Sequence, residues 1–138
     1  MDAKRTDFLA RIVADKAEEV IAAQLARPYE EVAAAARGAP PPRDFAGAIE
    51  ARSAAGRPAV IAEIKRASPS KGVLREAFDP PGIAASYERA GATCLSVLTD
   101  AKYFHGSNDF LVAARGACAL AVLRKEFIVE EYQVAESR

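Results

Sequence analysis

Ala59-Val60-Ile61-Ala62-Glu63-Ile64 is a short, almost unbroken apolar run. Such a run fits a β-strand covered on both faces, as in a parallel sheet, better than one with a wet side. Two further runs follow, Cys94-Leu95-Ser96-Val97-Leu98-Thr99 and Ala121-Val122-Leu123-Arg124-Lys125-Glu126-Phe127. Between them lie helix-like segments. Pro80 opens the first, which carries Ile83, Ala84, Tyr87 and Ala90 and stops at Gly91; the second runs from about Ser107 to Arg115 and ends near Gly116. Strand, loop, helix, strand at a period of roughly 30 residues indicates βα units with right-handed crossovers, an α/β fold.

Upstream of residue 59 the character is helical. From Asp7 to about Ala26, Phe8, Leu9, Ile12, Val13, Val20, Ile21 and Leu25 recur mostly at three- and four-residue spacing, with Asp7 placed to cap the helix. Pro28 ends it, Tyr29 to Arg37 form a second helix, and Gly38-Ala39-Pro40-Pro41-Pro42 break the chain. Asp44 caps a third helix to about Ala54, and Gly56-Arg57-Pro58 turn into the first strand. The expected organisation is a helical extension over 1–58 and βα units over 59–138. A last helical start at Val129-Glu130-Glu131-Tyr132 leads into Gln133 to Arg138, where a C-cap glycine and a fourth strand are lacking, so the chain is expected to be cut. A three-stranded parallel sheet would carry open edges, through which two copies could self-associate.

Bulk properties narrow the function. Hydrophobic residues make up 51% and charged ones 28%, and 19 basic residues balance 19 acidic ones. Zero net charge argues against a broad electrostatic grip on nucleic acid or an anionic membrane. An apolar stretch of membrane-spanning length and a leader pattern are both lacking, so the expected location is cytoplasmic. Cys94 and Cys118 are too few for a disulfide framework, and Cys94 is expected in the core. His105 stands alone, which speaks against a metal site.

In parallel βα folds ligands meet the carboxyl ends of the strands. With alternation of period 2, Ile61, Glu63 and Lys65 share one face of the first strand, and Leu123, Lys125 and Phe127 share one face of the third. Each set places an apolar residue deep and a lysine at the ligand end. Two readings stand. In one, Lys65 and Lys125 form an anion-binding, proton-donating site with Glu63 as their carboxylate partner, each cation lowering the other's pKa. In the other, both lysines point outward into solvent, since a one-residue slip reverses the faces. The loop Arg66-Ala67-Ser68-Pro69-Ser70-Lys71-Gly72 is either a lid and anion contact or an ordinary turn. Phe104 and Phe127 either sandwich a planar ring or pack in the core.

Three stretches carry a resemblance. Ile61 to Gly72 (IAEIKRASPSKG), Leu95 to Asp100 (LSVLTD) continuing through Lys102-Tyr103-Phe104 to Gly106-Ser107, and Leu123 to Ile128 (LRKEFI) closely resemble signatures of the indole-3-glycerol-phosphate synthases, in family order and spacing. The Pro-Pro-Pro-Arg-Asp-Phe stretch at 40–45 also looks like that family. The resemblance implies a (β/α)8 TIM barrel of which this chain holds the helical extension and about three βα units. It implies conversion of 1-(2-carboxyphenylamino)-1-deoxyribulose 5-phosphate, a small anionic sugar phosphate, to indole-3-glycerol phosphate with loss of carbon dioxide and water, without cofactor or metal. By position, Lys125 matches the general acid, Lys65 a second catalytic lysine and Glu63 the carboxylate that orients them. Phe104 and Phe127 match aromatics around the anthranilate ring, and Ser68 lies in a loop that approaches substrate. The family's general-base glutamate and most of its phosphate cradle would lie past Arg138, so the 138 residues alone are expected to be inactive. The alternatives are a non-catalytic half-barrel that binds a sugar phosphate or self-associates, and a lyase working through a lysine imine.

Overall fold

The computed structural model of the chain describes residues 3–138. It divides into two compact units, one built from α1 (Ala3–Ala26), α2 (Tyr29–Gly38) and α7 (Glu131–Ser137), the other from Pro42–Glu126.

In the helical unit, Val20, Val32 and Tyr132 form a small core flanked by Ala23, Val129 and Ala135. The Tyr132 hydroxyl reaches two carbonyls at and just past the C-terminal end of α1, those of Ala23 (3.3 Å), which also accepts from Arg27 N, and of Arg27 (3.1 Å). Gln133 closes a reciprocal cap at the start of α7, its side-chain oxygen accepting the N–H of Val129 and of Glu130. α1 begins at Ala3, so Asp7 lies inside the helix and is exposed there, not at its N-cap. Ala3, Lys4 and Arg5 are strong helix formers, and nothing in them halts the helix at Asp7. Among the described residues, no helix is long and apolar enough to cross a membrane.

The second unit is α/β. Its sheet has the order β1-β4-β5, with β1 (Ile61–Ile64), β4 (Cys94–Leu98) and β5 (Ala121–Lys125) all parallel. α4 (Pro80–Arg89) and α6 (Asn108–Gly116) cross between the strands and cover one face. There Ala62, Ile64, Leu95 and Val97 meet Ala84 and Ala114, both fully buried. Two alanines at the helix contacts let the backbones approach the sheet closely. Phe78 and Phe110 close this layer edge to face, with centroids 5.0 Å apart. Each crossover helix starts on a side-chain cap: Asp79 accepts from Gly82 N, and Ser107 from Asp109 N. α3 (Phe45–Ala54), capped by Asp44 through Gly47 N, packs on β4 and β5, where Cys94 Sγ contacts the Phe45 carbonyl. Cys94 is fully buried, as expected, and burial pushes its thiol pKa up.

Three local features were not anticipated. The loop after β1 holds a small hairpin, β2 (Ala67–Ser68) against β3 (Gly72–Val73). The loop after β4 holds a single helical turn, α5 (Ala101–Phe104). β5 stops at Lys125, so the strand alternation does not extend to Phe127. The expected depth of Ile61 and Leu123 also fails. They are 48% and 46% exposed, because both helices pack on the opposite face.

Ile64 is 1% exposed and sits at the centre of the sheet–helix core. Ile64→Ala should destabilise the α/β unit by about 2–5 kcal/mol, measured as a fall in the urea midpoint at unchanged slope.

Candidate functional site

The register fixes where the polar strand ends go. Ile64 pairs with Val97 and Leu98 pairs with Lys125. Lys65, one residue past Ile64, therefore stands level with Lys125 on the far side of β4. Ile64 and Val97 face the helices, so alternation turns Glu63, Lys65 and Lys125 to the other face.

The lysines converge. Lys125 Nζ lies 2.5 Å from Glu63 Oε2, and Lys65 Nζ lies 3.1 Å from Glu63 Oε1. One carboxylate thus holds two ammonium groups from opposite edges of the sheet, one on each oxygen. The side chains of Lys65 and Glu63 are about one-third exposed and that of Lys125 is 53% exposed. The cluster therefore sits at a mouth open to water. Partial burial alone would raise the Glu63 pKa; the hydrogen bonds and charges of Lys125 and Lys65 outweigh it and hold it below the ordinary glutamate value.

The main chain behind this carboxylate is also fixed. The Tyr87 hydroxyl, from α4, donates to the Glu63 carbonyl at 3.0 Å. In the sequence Tyr87 shows only as part of the apolar stripe of its helix; the signal for this second role is its polar tip, which needs a partner once the ring is packed. A cavity of about 340 Å³ adjoins Glu63 and Lys65, lined also by Leu74, Arg75 and Tyr87. None of its lining comes from β4 or β5, so it opens at the free edge of β1 and not beside Lys125.

The remaining expected residues are more dispersed. Ser68 is buried in the β2–β3 hairpin, where its hydroxyl accepts from Lys71 N at 3.3 Å, so in this arrangement it holds its own loop. Phe104 ends α5 half-buried, its N–H on Asp100 Oδ2. Asp100 is almost fully buried and also takes Tyr103 N at 2.8 Å, which sets the single turn after β4. Gly106 closes this loop. A Cβ there would stand 2.4 Å from the Leu98 carbonyl oxygen, so only glycine fits. Phe127 belongs to the helical unit, where its carbonyl accepts from Gln133 Nε2 at 2.8 Å.

The depressed pKa of Glu63 has a consequence for acid stability. A carboxyl whose folded pKa lies below its unfolded value contributes stability above that unfolded value, near 4.5. That contribution is lost as pH falls through the folded value. Glu63→Gln should therefore flatten the acid limb of a plot of Tm against pH. The gap between wild type and variant should be widest near neutrality and close in acid.

The family described as indole-3-glycerol phosphate synthase matches residues 9–138. The chain is 59% identical over 133 residues to the indole-3-glycerol phosphate synthase of Dechloromonas aromatica (strain RCB), covering 96% of this chain and 51% of that protein. It is 60% identical over 133 residues to that of Azoarcus sp. (strain BH72), with 96% and 50% covered. To the protein of the same name in Laribacter hongkongensis (strain HLHK9) it is 56% identical, with 96% and 51% covered. The chain spans about half the length of the curated relatives it matches. The match takes in all three strand-end signatures together with most of α1 and all of α2 and α3, and the chain belongs to the indole-3-glycerol phosphate synthase family.

Proposed function

We propose that this chain supplies the acid side of an indole-3-glycerol-phosphate synthase and forms the first three βα units of its (β/α)8 barrel, with residues 1–58 as the helical extension. The observation that carries the reading is the pair of ammonium groups on one carboxylate at the carboxyl ends of parallel strands.

In this reading Lys125 is the general acid. It protonates the carbonyl oxygen of 1-(2-carboxyphenylamino)-1-deoxyribulose 5-phosphate as the ring closes. Carbon dioxide and then water leave, giving indole-3-glycerol phosphate. Lys65 holds the anionic substrate and assists the later proton transfers. Glu63 aims both lysines. Their unequal exposure suits the division of labour: the more exposed Lys125 can leave Oε2 for a substrate oxygen while Lys65 stays on Oε1. Ser68, Phe104 and Phe127 are assigned to substrate contact, the two rings against the anthranilate. The chemistry assigned to these residues calls on no cofactor, and a biosynthetic enzyme of this kind works in the cytoplasm.

The test is complementation. The 138-residue chain, alone and co-expressed with the C-terminal half of the Dechloromonas aromatica relative, is assayed for indole-3-glycerol phosphate. Turnover should be negligible alone and appear with the second half. Lys125→Met should then lower kcat by about 10²–10⁴-fold. Full activity of the Lys125→Met pair would defeat the assignment. An imine mechanism is separated in the same assay by borohydride, which would trap substrate on a lysine only if a Schiff base forms.

The half-exposed Ile61 and Leu123 on the sheet face away from α4 and α6 favour one addition, self-association of the isolated chain. Sedimentation should show a concentration-dependent dimer or larger species; a monomer at all concentrations would exclude it.

A further inference from the structure

We propose that Thr99 is the positioning residue for Lys125, a single side chain and amide that clamp the last residue of β5 so that its ammonium is delivered to Glu63. The inference deepens the reading of Lys125 as proton donor and rests on it for its relevance to turnover. Its geometric content stands apart.

Thr99 follows the last residue of β4 and is 6% exposed. It touches three consecutive residues of the neighbouring strand end. Its amide donates to the Lys125 carbonyl at 3.2 Å. Its hydroxyl accepts from Arg124 Nε at 3.1 Å and donates to Glu126 Oε2 at 2.9 Å. A hydroxyl has one proton and two lone pairs, so both bonds are made at once. The Arg124 and Glu126 side chains are only 12% and 3% exposed, and the Arg124 guanidinium lies 4.0 Å from the same Glu126 oxygen. A charged pair this deeply buried is costly unless hydrogen-bonded, and Thr99 supplies such bonds to both members.

Lys125 stands between these two anchors with its own side chain on the opposite face, more than half exposed. The backbone at 125 is therefore held at its carbonyl and through both neighbours, while the ammonium is left to Glu63. An ammonium some ~6 Å from its Cα moves by roughly 2 Å for a tilt of about 20° at that Cα, at ordinary bond lengths. A shift of that size would break the Lys125–Glu63 contact. β5 has no pairing beyond Lys125, so little else in the strand opposes such a tilt.

The experiment uses the whole 138-residue chain, 13C-labelled, and follows the Glu63 side-chain carboxyl by NMR as pH is varied. Thr99→Val keeps the shape and charge but removes the hydroxyl; Thr99→Ser restores it. In Thr99→Val the Glu63 titration should move up toward the ordinary glutamate value, because Lys125 is no longer held against it. Thr99→Ser should titrate like wild type. In a Lys125→Met background Thr99→Val should add no further shift, since the coupling runs through that lysine. A merely structural role predicts a lower Tm with the Glu63 titration unmoved, and that result in a folded Thr99→Val chain overturns the proposal. Should Thr99→Val fail to fold, Thr99→Ala carries the same expectation with less steric demand. Loss of fold in both assigns the residue to stability and likewise overturns it. The readout needs no substrate, so failure of the assigned chemistry would leave a positive titration result intact.

Discussion

The site depends on one constraint, the register of three parallel strands. β4 is central, and its pairing sets Ile64 against Val97 and Leu98 against Lys125. A shift of β5 by one residue would exchange the faces of Arg124 and Lys125. Lys125 would then face the helix layer, and Arg124 would replace it on the Glu63 side. The register is held by the opposite face. Ile64, Leu95 and Val97 are almost completely buried, and slipping β1 would turn Ala62 and Ile64 to the polar, partly wet face that Ile61 and Glu63 now occupy.

Stability and chemistry are accordingly divided between the two faces. The face toward α4 and α6 is apolar, closely packed through Ala84 and Ala114, and carries most of the hydrophobic stabilisation of this unit. The other face holds a carboxylate and two lysines that are one-third to one-half exposed. Ion pairs so exposed contribute at most about 1 kcal/mol each. The cluster is thus a poor stabiliser and a good arrangement of movable charge, which is what a proton donor beside an anion site requires.

Much of this was legible in the sequence, where the signal is periodic or carries a cap. The three apolar runs became the three strands, Pro80 and Gly91 bracket α4, and Asp44 caps α3 where it was expected to. The convergence of Lys65, Glu63 and Lys125 followed from alternation together with the rule that ligands meet strand ends, and of the two orientations open in the sequence the structure has the converging one. What stayed hidden has no period to read. α5 is one turn created by Asp100 taking two amides, and the β2–β3 hairpin pairs only two residues on each side. The expected depth of Ile61 and Leu123 fails because alternation says which residues share a face, never which face α4 and α6 cover. In the sequence Tyr87 and Thr99 read as core and strand residues, since a polar tip reveals its role only when its partner's position is known.

The loops at the strand ends explain why movable lysines need not mean a loose site. After β1 the Arg66 carbonyl accepts from Leu74 N at 2.8 Å and from Arg75 N at 3.3 Å, returning the chain to the strand end it left. After β4, Asp100 holds the turn, Gly106 N donates to the Asp100 carbonyl at 2.7 Å, and the missing Cβ of Gly106 lets the backbones touch. Both frames are closed by main-chain bonds, the Ser68 hydroxyl and a buried carboxylate, not by the two lysines or Glu63. Lys65, Lys125 and Glu63 are therefore released from structural duty, and a change of rotamer at any of them costs the fold little. A rigid strand end carrying a long, half-exposed ammonium places charge within a small volume while leaving its last bonds free to follow a substrate.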